Sequence, residues 1–503
     1  MGPLDRRTGA YKLLTPQALF VWVGVVYVVA KMIAKAGFAV GAGLVALPFA
    51  IGFLVMMFKN PRISVITVLI MGFMASGISR YVKAIPWGLT LDAFLFLGWL
   101  AILFQKFRET DWTPIKNDLM WLTLLWMGYI FFEVVNPEAR SAVAWFYAMR
   151  GIGFYWLLGF GIVFFYFRDV KDLDKFLNII VVISILGMVW GMRQKVFGTD
   201  AAEDHWLYAE EHADQHVLFG VLRVFSFYTD AGQFGASQAM MALLCGIIAI
   251  GPGSMKKRIW YGFAALCVFI GFGISGTRGA LAVPAAGGII FLIMTKNFKV
   301  LVLGLVAGFL VFGMLKYTMA LQSVEQIARM RTALDPDNPS LNARFHNQVI
   351  YRKYLKTRPI GAGVGTAGFW GQRFSPGTIP AETPTDSWYV RIWAETGIVG
   401  LIFHVYWIGY FLGKGGNITW NLKNQELRYK IMAIYSAYGG IAIASYGNMV
   451  LGQIPTGIIL CFAFPMIWMA PMYDEQLENQ DRQDLRDAGI DPDKDQNALL
   501  EAE

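Results

Sequence analysis

Long stretches of this chain carry no charged residue, among them 21–30, 300–315 and 431–444. Lipid offers a peptide group no hydrogen-bond partner. Such runs must therefore satisfy their backbone internally, as helices or as strands of a closed barrel. Their lengths, roughly 15–22 residues, suit helices crossing a hydrocarbon core of about 30 Å. A barrel strand would alternate at every second residue, and no sustained alternation is present. Composition agrees. Hydrophobic residues make up 56% of the 503 positions and charged ones 16%, against roughly 45–50% and about 25% in soluble domains. The chain is expected to be an all-α polytopic membrane protein with about 12–14 transmembrane helices and one large, partly helical outer loop.

Charge in the short loops orients the spans. Lys256, Lys257 and Arg258, then Lys296 and Lys299, then Lys414, Lys423, Arg428 and Lys430 fall in one alternating set, together with Arg6, Arg7 and Lys12. The other set is poor in Lys and Arg, so the first is cytoplasmic. Both termini are then expected inside, and no cleaved leader is expected. The net charge of +8 is accounted for by loops facing anionic lipid and needs no nucleic acid. Cys245, Cys267 and Cys461 lie in apolar runs and read as small core residues.

The expected organisation is a transmembrane bundle over 1–192, an outer segment over 193–233, and central transmembrane helices over 234–316. The large outer loop covers 317–389, C-terminal transmembrane helices 390–471, and an acidic, mobile cytoplasmic tail 472–503. Within the large loop, Met319–Leu334 and Arg344–Leu355 have helical spacing, punctuated by Pro336, Pro339 and Pro359.

Four places could carry chemistry. Arg223-Val-Phe-Ser-Phe-Tyr-Thr-Asp230 runs into the eighth span. Ser275-Gly-Thr-Arg278-Gly joins two spans with almost no loop. Arg278 sits there on the side where positive charge is disfavoured, and its planar fork of donors suits phosphate. Arg344 and His346 lie on the basic helix that runs into Gly361-Ala-Gly363-Val-Gly365, a turn whose N–H groups could cradle a diphosphate. Nothing here is a nucleotide P-loop, because the Lys-Ser/Thr pair is missing. Finally, Asp386 precedes Tyr389, Arg391 and Glu395 where the loop re-enters a span. Asp386 could cap that helix or act as a base, and Arg391 and Glu395 are one turn apart and could pair. His205, His212 and His216 read as a surface rather than a zinc site, and His404 as a packing residue.

The order of these segments resembles the O-antigen ligase and polymerase superfamily. The features are an Arg-x-x-Ser-Phe segment, a Ser-x-x-Arg-Gly turn, an arginine helix ending in Pro359-x-Gly-x-Gly-x-Gly, and Tyr389-x5-Glu395-x-Gly397-x2-Gly400. The resemblance implies a membrane glycosyltransferase of the bacterial inner membrane with a periplasmic active face. It would take a polyprenyl-diphosphate-linked glycan as donor and a lipid or glycan acceptor, with no cofactor and no metal. Arg223 and Arg278 would hold the diphosphate, and Arg344 would cover the site. The family commonly has a histidine before the last loop span, and this chain has Asp386 there. His346 is an alternative base outside the motif, and Tyr389, Arg391 and Glu395 are supporting residues. The ligase reading comes first and the polymerase reading second. A transporter would more often show repeated halves and helices broken at the midplane.

Overall fold

The computed structural model describes residues 38–106, 111–218, 220–319, 322–323, 325–332 and 339–488, with scattered positions between 23 and 34. Most of these residues are helical, and the strands among them form one hairpin in which Val217–Leu218 pairs antiparallel with Val221–Leu222. Among the described residues, ten helices are long and apolar enough to cross a membrane, and the shorter apolar helices Val45–Lys59 and Arg278–Met294 accompany them. The chain is thus an all-α polytopic membrane protein. Of the charge-free runs, 21–30 lies partly outside the described residues, and 300–315 and 431–444 each fall on a helix.

The described residues up to Ile63 form one compact unit and those from Ser64 onward another. The first contains the apolar helix Phe38–Lys59. All sites considered below lie in the second.

The centre of the second unit is Ala231–Ile250, packed against Met255–Ser275 and Gln425–Ala444. Small residues make close approach possible, as in membrane helix pairs generally. A Cβ on Gly235 would stand 2.8 Å from Thr277 Cβ, and one on Gly271 would meet the Gln238 amide. Buried Gln238 donates to the Ser184 carbonyl at 3.0 Å and the Tyr228 hydroxyl at 3.1 Å, tying a third helix, Val170–Phe197, to the pair. Phe298–Tyr317, by contrast, has no buried residue. The three cysteines are free and buried, as expected.

The helix Trp388–Asn421 is broken at Gly397, whose φ of 66° and ψ of −168° are non-helical. A break exposes backbone groups that lipid cannot satisfy. Here the glycine-rich turn satisfies them. Ala362 N–H donates to Ala394 O at 3.0 Å, Gly363 N–H to Glu395 O at 2.9 Å, and Val399 N–H to Pro359 O at 3.2 Å. Tyr129 donates its hydroxyl to Thr396 O at 2.8 Å. The turn is wedged so tightly that a Cβ on Gly363 would stand 2.6 Å from Ala139 Cβ. This corrects the reading of Gly361–Gly365 as a diphosphate cradle: N–H groups of that turn are engaged in latching a broken helix.

The acidic tail is the second correction. The last helix runs Thr456–Asp487, through Pro465 and Pro471, well past the expected boundary at 471. Tyr473 donates to Phe167 O, and Asp474 accepts from the N–H groups of Lys423 and Asn424 at 2.9 Å each. Those contacts hold the polar end in place although its sequence lacks apolar periodicity.

Gly397→Ala should lower thermal stability by at least about 1–3 kcal/mol, because alanine is strained at this φ and its Cβ would overlap the Pro359 carbonyl. The check is a scanning-fluorimetry melt combined with limited proteolysis, and the new cleavages should fall between 355 and 385.

Candidate functional site

The segment 223–230 has no regular structure, yet it is pinned at several points. Arg80 is 3% exposed and donates to Ser226 O at 2.6 Å and to Tyr228 O. Its guanidinium lies 4.3 Å from the centroid of Trp206 and 4.4 Å from that of Phe225. Ser226 has φ 53°. Its N–H donates to Gln194 Oε1 and its hydroxyl to Gly187 O, both at 2.7 Å. The serine of the Arg-x-x-Ser-Phe segment is therefore a bolt on the turn, and Arg223 is what the turn presents.

Nearby, Gly276 ends Met255–Ser275 in the left-handed conformation at φ 60°, ψ 18°. The chain then re-enters as a short 3-10 turn from Arg278. Ser275 Oγ accepts from Thr277 N–H at 3.1 Å, and Thr277 Oγ1 donates to Ala231 O at 2.8 Å. Arg223 Nη2 donates to that same hydroxyl at 3.3 Å, so Thr277 joins the two segments. Arg278 Nη1 donates to Thr332 Oγ1 at 2.9 Å, next to the short helix Glu325–Arg331.

These contacts open onto one cavity of about 510 Å³, whose lining includes Arg223, Arg278, Arg329, Arg344, Asp230 and Asn448. Asp230 caps Ala231–Ile250, accepting from Gln233 N–H at 2.9 Å. The partial positive charge of that helix N-terminus adds to the wall. Among the described lining residues stand four guanidinium groups and one carboxylate, a formal surplus of three positive charges. Burial pushes the Arg223 guanidinium below its usual range. Asp230 opposes this, and the charges of Arg329 and Arg278 reinforce it. Arginine does not lose its proton in proteins, so the groups coexist under mutual repulsion. An anion with several oxygens would relieve that repulsion through charge-assisted hydrogen bonds.

The loops on the lysine-rich side join the opposite ends of these helices. Lys256, Lys257 and Arg258 lie at the start of Met255–Ser275, while Gly276 and Arg278 lie at its other end. The cavity and the basic loops are therefore at opposite ends of the central helices.

Arg223, Arg278 and Arg344 thus share one hollow. Arg329 and Asn448 belong to it without having been singled out from sequence. Arg329 sits in a helix already read from its spacing, but nothing local distinguishes it from its neighbour Arg331. Asp386 is outside the lining. It is exposed, at φ 49°, and the cap of Trp388–Asn421 is Ser387. Its neighbours touch the loop whose Gly447 and Asn448 line the cavity: Thr385 donates to Met449 Sδ at 3.4 Å and Trp388 N–H to Ser445 O at 3.0 Å. His346 is exposed and also outside the lining. Arg391 and Glu395 pair at 3.2 Å, with Glu395 fully buried. Tyr389 donates to Ala442 O at 2.7 Å. His404 is buried and accepts from Trp388 Nε1 at 2.9 Å, a packing role.

A family model described as O-antigen ligase matches residues 263–405, which contain three of the four arginines. An O-antigen polymerase of Salmonella muenchen is 27% identical over 197 residues, covering 38% of this chain and 46% of that protein. Over this region the chain is similar to the O-antigen ligase and polymerase superfamily. The superfamily is one of membrane enzymes. The match to the polymerase spans just under half of that relative's length. The matched region supplies Arg278, Arg329 and Arg344, while Arg223 comes from the segment before it.

The acidic segment beside the cavity serves structure. Arg193 pairs with Asp200 and Glu203 at 2.9 Å each, and His216 stacks on Trp206, 4.9 Å between centroids. Burial, then the charges of Arg80, Arg223 and His212, push the His216 imidazole down to about 4. An unfolded imidazole titrates near 6.5. Between those values the unfolded chain takes up a proton that the folded one refuses. Stability is therefore full above about 6.5 and falls as pH drops toward 4. His216→Phe should remove about 2 kcal/mol of the acid-induced loss between pH 7 and pH 5, read as a smaller fall in melting temperature than in the unmodified protein.

Proposed function

We propose that this protein transfers a glycan from a polyprenyl-diphosphate carrier to an acceptor hydroxyl at the periplasmic face of a bacterial inner membrane. The observation that carries the reading is the convergence of Arg223, Arg278, Arg329 and Arg344 on one cavity. Outside the cytoplasm there is no ATP, so the donor must arrive activated, and a sugar diphosphate is such a donor. The acceptor oxygen attacks the anomeric carbon, and the bond from that carbon to the phosphate oxygen breaks. The leaving diphosphate takes the bonding pair. Bidentate guanidinium contacts strengthen as that charge develops, which lowers the barrier. Neither a metal nor a cofactor enters the scheme.

Asp386 takes the acceptor proton in this scheme. Support comes from its position. Its carboxylate is exposed, it is released from capping by Ser387, and it sits next to residues that touch the 445–449 loop. A non-glycine residue at φ 49° is uncommon, although aspartate is among those that tolerate it. Such conformations cluster at functional sites. Arg391, Glu395 and Tyr389 support the re-entry helix.

The acceptor divides two readings. The family description favours a ligase, whose acceptor is a lipid or lipid-linked core. The Salmonella relative's name favours a polymerase, whose acceptor is a second carrier-linked repeat. A deletion strain separates them. Loss of all long glycan with carrier-linked polymer accumulating means ligase, and single-repeat caps mean polymerase. In a reconstituted assay with carrier-linked oligosaccharide, Arg278→Lys should lower transfer by roughly 10²–10³-fold, since the planar fork is lost. Asp386→Asn should cost about 10²–10⁴-fold, while Asp386→His should keep transfer. Normal turnover by both Arg278→Lys and Asp386→Asn would overturn the scheme.

A further inference from the structure

The lysine-rich end of the central helices holds a cavity of its own, of about 290 Å³, which shares no lining residue with the arginine hollow. Four helices meet there. Val170–Phe197 contributes Asp174, the end of Ala231–Ile250 contributes Ile248, Met255–Ser275 contributes its first turns, and Gln425–Ala444 contributes Glu426 and Lys430. Three of the four start at this end, so the partial positive charges of their N-termini add.

The side chains leave charge over. Lys430 is 6% exposed and bridges Asp174 at 2.7 Å and Glu426 at 2.8 Å, while Lys257 reaches Glu426 at 2.8 Å. Both carboxylates among the described lining residues are thereby engaged. Lys256 and Arg258 line the same cavity, and neither has an ion-pair partner among the described residues. Arg258 donates its Nε–H to Ala249 O at 3.2 Å, which leaves the ends of its fork available. The described lining therefore carries a formal surplus of two positive charges. A basic hollow between membrane helices suits an anionic lipid headgroup. The mouth of the hollow also continues into an apolar face. Lys256, Trp260, Phe263 and Ile270 stand three, four or seven residues apart, so they share one side of the helix. Trp260 lines the cavity, and beyond it Phe263 and Ile270 are exposed. Tryptophan at such a junction is typical of the membrane–water interface.

We propose that this hollow binds a phospholipid whose headgroup is a net-negative phosphodiester. The phosphate oxygens accept from Lys256 and Arg258, and the acyl chains run along Phe263 and Ile270. Free phosphate carries the same oxygens, but it gains nothing from the apolar face, so the occupant is the lipid. A zwitterionic headgroup brings its own ammonium and gains little from the surplus charge. The bound lipid braces one end of the helices whose other ends form the arginine hollow. Ala231–Ile250 starts at Asp230 of that hollow, and Met255–Ser275 ends two residues before Thr277 and three before Arg278. The site is independent of the transfer chemistry proposed above.

The test titrates the full-length protein in neutral detergent with phosphatidylglycerol or, separately, phosphatidylcholine, and counts bound lipid by native mass spectrometry. Phosphatidylglycerol should bind about tenfold more tightly. Inorganic phosphate at the same concentration should not displace it. Lys256→Gln and Arg258→Gln should each weaken phosphatidylglycerol binding about fivefold. The double variant Lys256→Arg with Arg258→Lys keeps both charges and should bind like the unmodified protein, which separates lost charge from a disturbed fold. Lys171 is exposed in the first turn of Val170–Phe197 but does not line the cavity, so Lys171→Gln should leave binding unchanged. Equal affinity for the two lipids, displacement by phosphate, or glutamine variants that bind normally overturns the proposal. So does a loss in Lys171→Gln as large as that in Lys256→Gln, which means diffuse attraction to the basic end. A lipid-free dimer, with a second copy covering the apolar face, overturns it as well.

Discussion

Mutual repulsion among four partly buried guanidinium groups is the constraint around which this end of the bundle is built. Arg223, Arg278, Arg329 and Arg344 come from four separate segments and face one carboxylate, Asp230. Left to themselves, such side chains would splay toward water or headgroups, as arginines near helix ends do. The structure prevents this through the backbone. Arg80 and Gln194 hold the turn that carries Arg223. Thr277 ties that turn to the one carrying Arg278 and to the start of Ala231–Ile250. The arrangement is preorganised, so the cost of gathering positive charge is met in folding rather than when an anion binds.

A second backbone device sits beside it. Trp388–Asn421 breaks at Gly397, and the glycine-rich turn satisfies the backbone groups the break leaves open. The glycines of that turn serve close packing, since a side chain there would collide with the helix entered at Ala142 or with the kink itself. One wedge thus fixes the loop helix bearing Arg344 and the re-entry segment bearing Asp386.

Much of this was legible beforehand. Charge-free runs located the helices, because lipid permits few alternatives for a bare backbone. Arg223, Arg278 and Arg344 stood out as positive charge on the side where it is disfavoured, or at the edge of a span. Arg329 did not, because on a polar loop helix an arginine facing a cavity and one facing solvent have the same local sequence. The glycine-rich turn misled for a related reason. A row of N–H groups looks alike whether it faces a phosphate or a broken helix, and only the partner tells them apart. The acidic tail misled too, since its helix is held by Tyr473 and Asp474 contacts made across the fold.

By itself the sequence determined that the chain is a helical membrane protein and which arginines lie at one end of its helices. Both follow from local free energies of transfer into lipid. The tertiary structure alone decided that the arginines share a hollow and that Asp386 is not among the residues lining it. Those facts depend on distances between residues far apart in the chain. Such distances are set by how closely glycine and other small side chains let helices approach, which no single segment encodes.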